Sequence, residues 1–246
     1  MRENSDIKAI FFDAGGTLLY IHPSVGKVYA EVSREMGVDL SDERIGSRLR
    51  EIWEDYAPTN AVRDGDYRAS DEQDRKMWKE FLRRLYDDLD PLQDLAFDAW
   101  FQQVFDRFGK PKTFKLYEET MDTLKRLRND GYQVGIVSNW DSRLISICEG
   151  LGVDEHVDFI LPSAVAGYRK PSSNIFEQAL ETAEVAPDEA MHIGDKELDD
   201  YRGSRSAGLT PVLLDRNDQH TEQDRNIISS LDQVTRLLNT QKIDLT

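Results

Sequence analysis

Cysteine is almost absent: Cys148 is the single one among 246 residues, so the chain closes no internal disulfide and offers no thiolate set for a metal. Long apolar runs are missing too, and nothing approaches the ~20 residues of a bilayer span. The opening stretch, "MRENSDIKA", is polar where a secretory leader is apolar, which sets the expectation of a cytoplasmic protein with no membrane partner. Basic residues are scarce, with 31 Lys+Arg against 47 Asp+Glu and a formal charge of −16. A field of that sign repels nucleic acid, and no basic stripe interrupts it. It repels small anions as well, so a phosphate site here needs local cations or a metal. Most of the acids read as a solvated face. What the chain does have, 39% hydrophobic and 32% charged residues, is the composition of a globular domain.

The segment "IKAIFF", residues 7–12, reads as a short buried strand from its aromatic and β-branched content. From Tyr20 to about Phe114 the pattern changes to amphipathic helices near 24–37, 41–56, 70–89 and 92–108, with Trp78, Phe81, Leu82 and Leu85 forming one apolar stripe. "SDER" (41–44) and "PLQD" (91–94) read as helix starts, Gly37 and Gly109 as ends, and 57–71 as a loop. A βα rhythm follows, with helices at 116–130, 142–150, 173–184, 198–207 and 226–239. Between them the strands fall at 132–139, 157–161, 190–195 and 210–214. This alternation predicts an α/β fold with a doubly wound parallel sheet. The ~95 residues between the first strand and the rest far exceed one crossover. The expected division is therefore a core of 1–19 and 115–246, with 20–114 as an all-helical cap inserted after the first strand. In open α/β sheets the ligand crevice lies at the carboxyl ends of the strands, where such a cap is well placed to cover it.

Four strand or loop ends carry chemistry. "DAGGT" (13–17) joins Asp13 to glycines that let backbone amides approach a ligand. "VSN" (137–139) brings Ser138, whose hydroxyl can hold an anionic oxygen. "GYRKPSSNIF" (167–176) places Lys170 before Pro171 and a helix, and "HIGDKELDDY" (192–201) puts Asp195 at a strand end with Asp199 and Asp200 a turn later. Singly each has an ordinary reading, a strand-terminal acid being a good helix cap. In this order on successive βα units they resemble the haloacid dehalogenase superfamily of aspartate-nucleophile hydrolases, and the resemblance covers nearly the whole chain. "FFDAGGTLL", "SNWDSRL" and "HIGDKELDDYRGSRSAGL" look like the branch close to the dehalogenase-type phosphatases.

The resemblance implies a Rossmann-like core with a helical cap, acting on a small phosphorylated substrate, as a monomer or homodimer. It makes Asp13 the nucleophile, attacking phosphorus to form an aspartyl-phosphate. Mg²⁺ is the implied cofactor, held by Asp13, the backbone carbonyl of Gly15, Asp195 and Asp200. Lys170 would temper the repulsion between Asp13 and phosphate. Ser138 and the amides of Ala14, Gly15 and Gly16 would hold phosphoryl oxygens. Thr17 either braces the nucleophile loop or meets substrate. Asn139 either orients Ser138 or a substrate oxygen, or caps the next helix; Trp140 and Asp141 line the crevice or simply pack.

Gly15 departs from the family's phosphatases, which carry there a second aspartate that protonates the leaving alcohol. General acid–base help is worth ~10²–10⁴ in rate. Three readings follow. The first is a phosphatase whose substrate leaves easily, such as an acyl phosphate or phenolic ester, or which borrows an acid. The second is another bond cleavage: a dehalogenase, against which the retained "GDKELDD" argues, or a phosphonate hydrolase, against which the lack of cap lysines between Lys27 and Lys76 argues. The third is a binding or regulatory protein with little turnover. The phosphatase stands first. His22, at the entry to the cap, is a candidate for the missing acid; His192 reads as a core residue, His156 and His220 as surface, and Cys148 as packing. Trp53, Trp78 and Trp100 read as cap core, with one of them able to face the crevice.

Overall fold

A computed structural model describes residues 7–60, 67–219 and 226–243. Its first strand, β1 (Ala9–Phe12), is fully buried, because both faces are covered by helices as in parallel sheets generally. Ile10 and Phe12 enter one core with Leu124, Val134 and Leu144, while Ala9 and Phe11 enter the other with Ile175, Phe176 and Ala179. β4 (Gln133–Ser138), β5 (Phe159–Pro162), β6 (Ala190–Gly194), β7 (Thr210–Leu214) and β8 (Ile227–Ile228) complete a six-stranded parallel sheet in the order β5-β4-β1-β6-β7-β8. Phe12 is in register with Ile136 of β4 and Ile193 of β6. The ends of these three central strands therefore open side by side.

Helices α5 (Thr120–Asn129), α6 (Arg143–Gly150), α7 (Ser163–Ala166), α8 (Ser173–Ala183), α9 (Gly203–Ser206) and α10 (Val234–Ile243) connect and flank the strands. After β1 the chain turns into β2 (Leu19–Ile21), which pairs antiparallel with β3 (Phe114–Leu116). Between them lie α1 (Val25–Glu35), α2 (Asp42–Asn60), α3 (Asp71–Asp88) and α4 (Phe97–Arg107). These four helices bury their own apolar cluster, including Tyr29, Leu82, Leu85 and Phe101. Trp100 is fully buried there, and its indole N–H donates to Ser33 Oγ at 3.0 Å.

The structure departs from the sequence reading where elements are too short to show a period. β2, β3 and β8 have two or three residues each. The expected helix 116–130 is a strand followed by a helix from Thr120, and 226–239 begins with β8 and a 3₁₀ turn at Leu231–Gln233. "PLQD" lies in a 3₁₀ turn, Asp90–Asp94, with α4 starting only at Phe97. α2 runs on to Asn60 through the expected loop, of which 61–66 lie outside the described residues. A π turn, Glu197–Arg202, opens the expected helix 198–207.

The cap is fastened to the core along one edge. Ala69 N–H donates to Gly167 O at 2.9 Å and Arg169 N–H to Tyr67 O at 2.8 Å. Arg169 also pairs with Asp74 at 2.7 Å, and the Ser142 amide and hydroxyl both donate to Asp71 at 2.8 Å. Because the cap holds a core of its own, Leu85→Ala, at a fully buried position, is expected to lower the unfolding free energy by about 2–5 kcal/mol. Urea titration measures this, and a loss below about 1 kcal/mol would contradict the packing.

Candidate active site

The sheet order gathers four remote segments. Asp13 follows β1 directly, its amide donating to Ile193 O at 2.9 Å. Ser138, the last residue of β4, donates its hydroxyl to Asp13 Oδ1 at 2.9 Å. Lys170 Nζ donates to the same oxygen at 2.6 Å and to Asp200 Oδ1 at 2.5 Å. The π turn, a feature frequent at functional sites, carries Asp200 inward, where Lys196 N–H meets its Oδ2 at 2.9 Å. Asp195 follows β6, and one carboxylate oxygen from each of Asp13, Asp195 and Asp200 lies within 4.8 Å of the others. The four residues expected to share a site are thus brought together.

Water is nearly excluded: Lys170 is 2% and Asp200 0% exposed. Burial raises Asp13 to about 7, the charges of Asp200 and Asp195 adding to it and Lys170 opposing. Burial alone would push Asp200 up as well, but the Lys170 ammonium and the His192 bond hold it well below the usual carboxylate range. Burial works to lower Lys170, and Asp13 and Asp200 outweigh it, so its ammonium is held above its ordinary value. Burial pushes His192 down, leaving a neutral imidazole whose Nε2 bonds Asp200 Oδ1 at 2.9 Å and whose Nδ1 has no partner. Burial also lifts Asp199 to about 6.

The three carboxylates meet two ammoniums, Lys170 between Asp13 and Asp200 and Lys196 at 2.7 Å from Asp195 Oδ2, so negative charge stays in excess and a cation is favoured there. Among the described residues Asp195 Oδ1 is buried without a hydrogen-bond partner, a costly state for a carboxylate oxygen. Among the same residues both donors to Asp13 reach Oδ1 and none reaches Oδ2. The donors are all hard oxygens, which suits Mg²⁺ or a similar cation. The residues present fit the group.

Of the three amides expected to face a phosphate, Gly16 donates to Leu19 O at 2.9 Å, which leaves those of Ala14 and Gly15. Gly16 has φ +80°, and a Cβ there would lie 2.6 Å from Asp195 Oδ2, so only glycine fits. Thr17 Oγ1 is buried without a partner. Asn139 does not cap the next helix. Its amide brackets Lys170 instead, accepting from Lys170 N at 2.7 Å and donating to Lys170 O at 3.0 Å. The cap belongs to Asp141, which accepts from Arg143 N at 3.0 Å and pairs with its guanidinium. Trp140 lies over the loop that follows Asp13: a side-chain carbon on Gly15 would stand 3.1 Å from its Cζ3. His22 lies beyond the end of β2, its ring edge-on to Tyr20.

Sequence reasoning missed Arg216. It donates to the carbonyls of Gly16 at 3.2 Å and Thr17 at 2.8 Å, and pairs with Glu119 at 2.6 Å. Its place just beyond β7, at a carboxyl strand end, was the available signal. A cavity of about 810 Å³ lies between cap and core, with Tyr29, Trp53, Trp78 and Phe81 on one side and Asn139 and Trp140 on the other. Trp53 and Trp78 therefore line the crevice, Trp78 packing against the cap core as well, and Trp100 is fully buried in that core.

Removing one member of a buried ion-paired set strands the others. Lys170→Met is expected to cost about 3–5 kcal/mol in urea unfolding without metal, with Asp200→Asn in the same chain recovering part of it. Wild-type stability for Lys170→Met would contradict the arrangement.

A family model described as a haloacid dehalogenase-like hydrolase matches residues 7–208. The human haloacid dehalogenase-like hydrolase domain-containing protein 3 is 30% identical over 218 residues, spanning 87% of this chain and 84% of that protein. A glyceraldehyde 3-phosphate phosphatase from Methanopyrus kandleri is 27% identical over 234 residues, 89% of either chain. Among solved structures, a HAD phosphatase from Thermococcus onnurineus superposes with a TM-score of 0.64 at 26% identity, covering 94% of this chain and 98% of that one. With the match running through every strand-end motif that meets at Asp13, this chain belongs to the haloacid dehalogenase-like hydrolases.

Proposed function

We propose that this chain is a Mg²⁺-dependent phosphatase that moves the phosphoryl group of a small phosphorylated metabolite to Asp13 and then to water. The observation that carries the reading is Asp195 Oδ1, buried and unpartnered beside Asp13 and Asp200. A dehalogenase has no use for such an acid, and phosphatases stand among the chain's relatives.

In this reading Asp13 divides its oxygens between two tasks. Oδ1 is held by Ser138 and Lys170, which fixes the carboxylate plane, and Oδ2 is left to attack phosphorus. Placement of this kind makes an ordinary carboxylate an effective nucleophile. The amides of Ala14 and Gly15 are offered to phosphoryl oxygens. Lys170 reduces the repulsion between Asp13 and the incoming anion, and Asn139, which grips its backbone, is a positioning residue. Asp13, Asp195, Asp200 and the Gly15 carbonyl would hold Mg²⁺, whose charge neutralises the phosphate when bound. Ser138 gives its hydroxyl to Asp13, so in this reading it orients the nucleophile as well as meeting the phosphoryl group. We extend the reading to a cytoplasmic enzyme that acts as a monomer or homodimer. Among the described residues no helix is long and apolar enough to cross a membrane.

Mg²⁺ is expected to raise the melting temperature by mass action on the folded state and to be required for phosphate release; Asp195→Asn removes both effects. No thermal shift and no release from any phosphorylated compound would sink the reading. For Gly15→Asp, the Trp140 ring 3.1 Å away must yield, so the informative variant is Gly15→Asp with Trp140→Leu. It is expected to gain roughly 10²-fold in hydrolysis of an alkyl phosphate, the lower end of what an acid–base residue supplies. The single Gly15→Asp substitution gains less, and an unchanged rate in the double variant would contradict this account of Gly15.

A further inference from the structure

Two features lie on either side of Trp140. On one side its ring covers Gly15, where no acid exists to protonate a departing oxygen. On the other it lines, beside Asn139, the core side of the 810 Å³ cavity. That volume lies within the range for drug-sized ligands and is far more than a three-carbon phosphate fills. Its cap side is aromatic: Trp53 and Trp78 are stacked at 17° with centroids 6.1 Å apart, and Phe81 meets them edge-on at 5.7 and 5.5 Å. Trp53 nevertheless remains 48% exposed, an indole that has lost little water to its own fold. Tyr29 lies in the same wall.

We propose that the alcohol half of the substrate is an aromatic, phenol-type group that sits in this cavity, between Trp140 on the core side and the Trp53–Trp78 pair on the cap side. The inference rests on the phosphatase reading and narrows it to aryl phosphates. The chemistry of the empty position at Gly15 and the lining of the cavity select the same group. A phenol ionises near ~10, as the tyrosine side chain does, against ~16 for water and simple alcohols, so it departs as an anion without an acid beside it. In the first step a bond forms between Asp13 Oδ2 and phosphorus, and the phosphorus–aryl oxygen bond breaks, its electron pair leaving on the phenolate. In the second, a water oxygen bonds to phosphorus and the phosphorus–Asp13 bond breaks, returning its pair to the carboxylate. One water proton stays on the released phosphate and the other ends on the phenolate, so the products are a phenol and hydrogen phosphate.

The test separates binding from turnover. With Mg²⁺ present, 2-naphthylphosphonate, which cannot be hydrolysed, is titrated against methylphosphonate, and phosphate release is compared for 2-naphthyl phosphate, glycerol phosphate and acetyl phosphate. The naphthyl compound is expected to bind about tenfold or more tighter, the scale of added aromatic contact, and 2-naphthyl phosphate to be turned over faster than glycerol phosphate. Trp53→Ala and Trp78→Ala each remove most of the aryl preference, while Trp53→Phe keeps it, which separates loss of the aromatic face from loss of fold. Phosphate release without aryl preference, or a preference untouched by both alanine variants, overturns this inference alone. Tight aryl binding without release from any compound overturns the phosphatase reading instead.

Discussion

The ammonium of Lys170, shared between Asp13 and Asp200, is the interaction on which the site depends. Carboxylates gathered this closely away from water repel one another strongly, and a buried charge persists only when paired. Much of the surrounding structure serves that pairing. The sheet order sets β1 between β4 and β6, so Asp13, Ser138 and Asp195 emerge as neighbours. The π turn brings Asp200 within reach, and Asn139 grips the lysine's main chain on both sides.

Much of this was legible in the residues, and for a physical reason. Strands such as Ala9–Phe12 and Ala190–Gly194 are buried on both faces, so they read as short apolar runs ending on a polar residue. Asp13, Lys170, Asp195 and Asp200 are ordinary one by one; their order on successive βα units, through the resemblance to the haloacid dehalogenase superfamily, singles them out. The two- and three-residue strands at 19–21, 114–116 and 227–228 did not stand out, since so few positions carry no period. Nor did the roles of Asn139, Trp140 and Arg216, each defined by a contact with a residue far along the chain. An asparagine after a strand looks like a cap until the lysine it brackets is known.

Gly15 shows how an absence can be built into a fold. A side-chain carbon there would stand 3.1 Å from the Trp140 ring, so the ring must give slightly before the position can carry a side chain. The same ring packs edge-on against Phe114 of the ribbon that leads into the cap. In the proposed reading, the missing acid beside Asp13 and the indoles lining the nearby cavity both point to a leaving group that departs without a proton. Specificity then comes from what departs easily as much as from what binds.

The edge where 67–69 meets 167–169 has a mechanical meaning. The lid is joined to the body on one side by the two-stranded ribbon and on the other by a backbone seam reinforced by Arg169 and Asp74. Arg169, which fastens the helical insert through Asp74, and Lys170, which pairs with Asp13, are neighbours in the chain, so the attachment of the insert and the placement of the buried ammonium share one backbone.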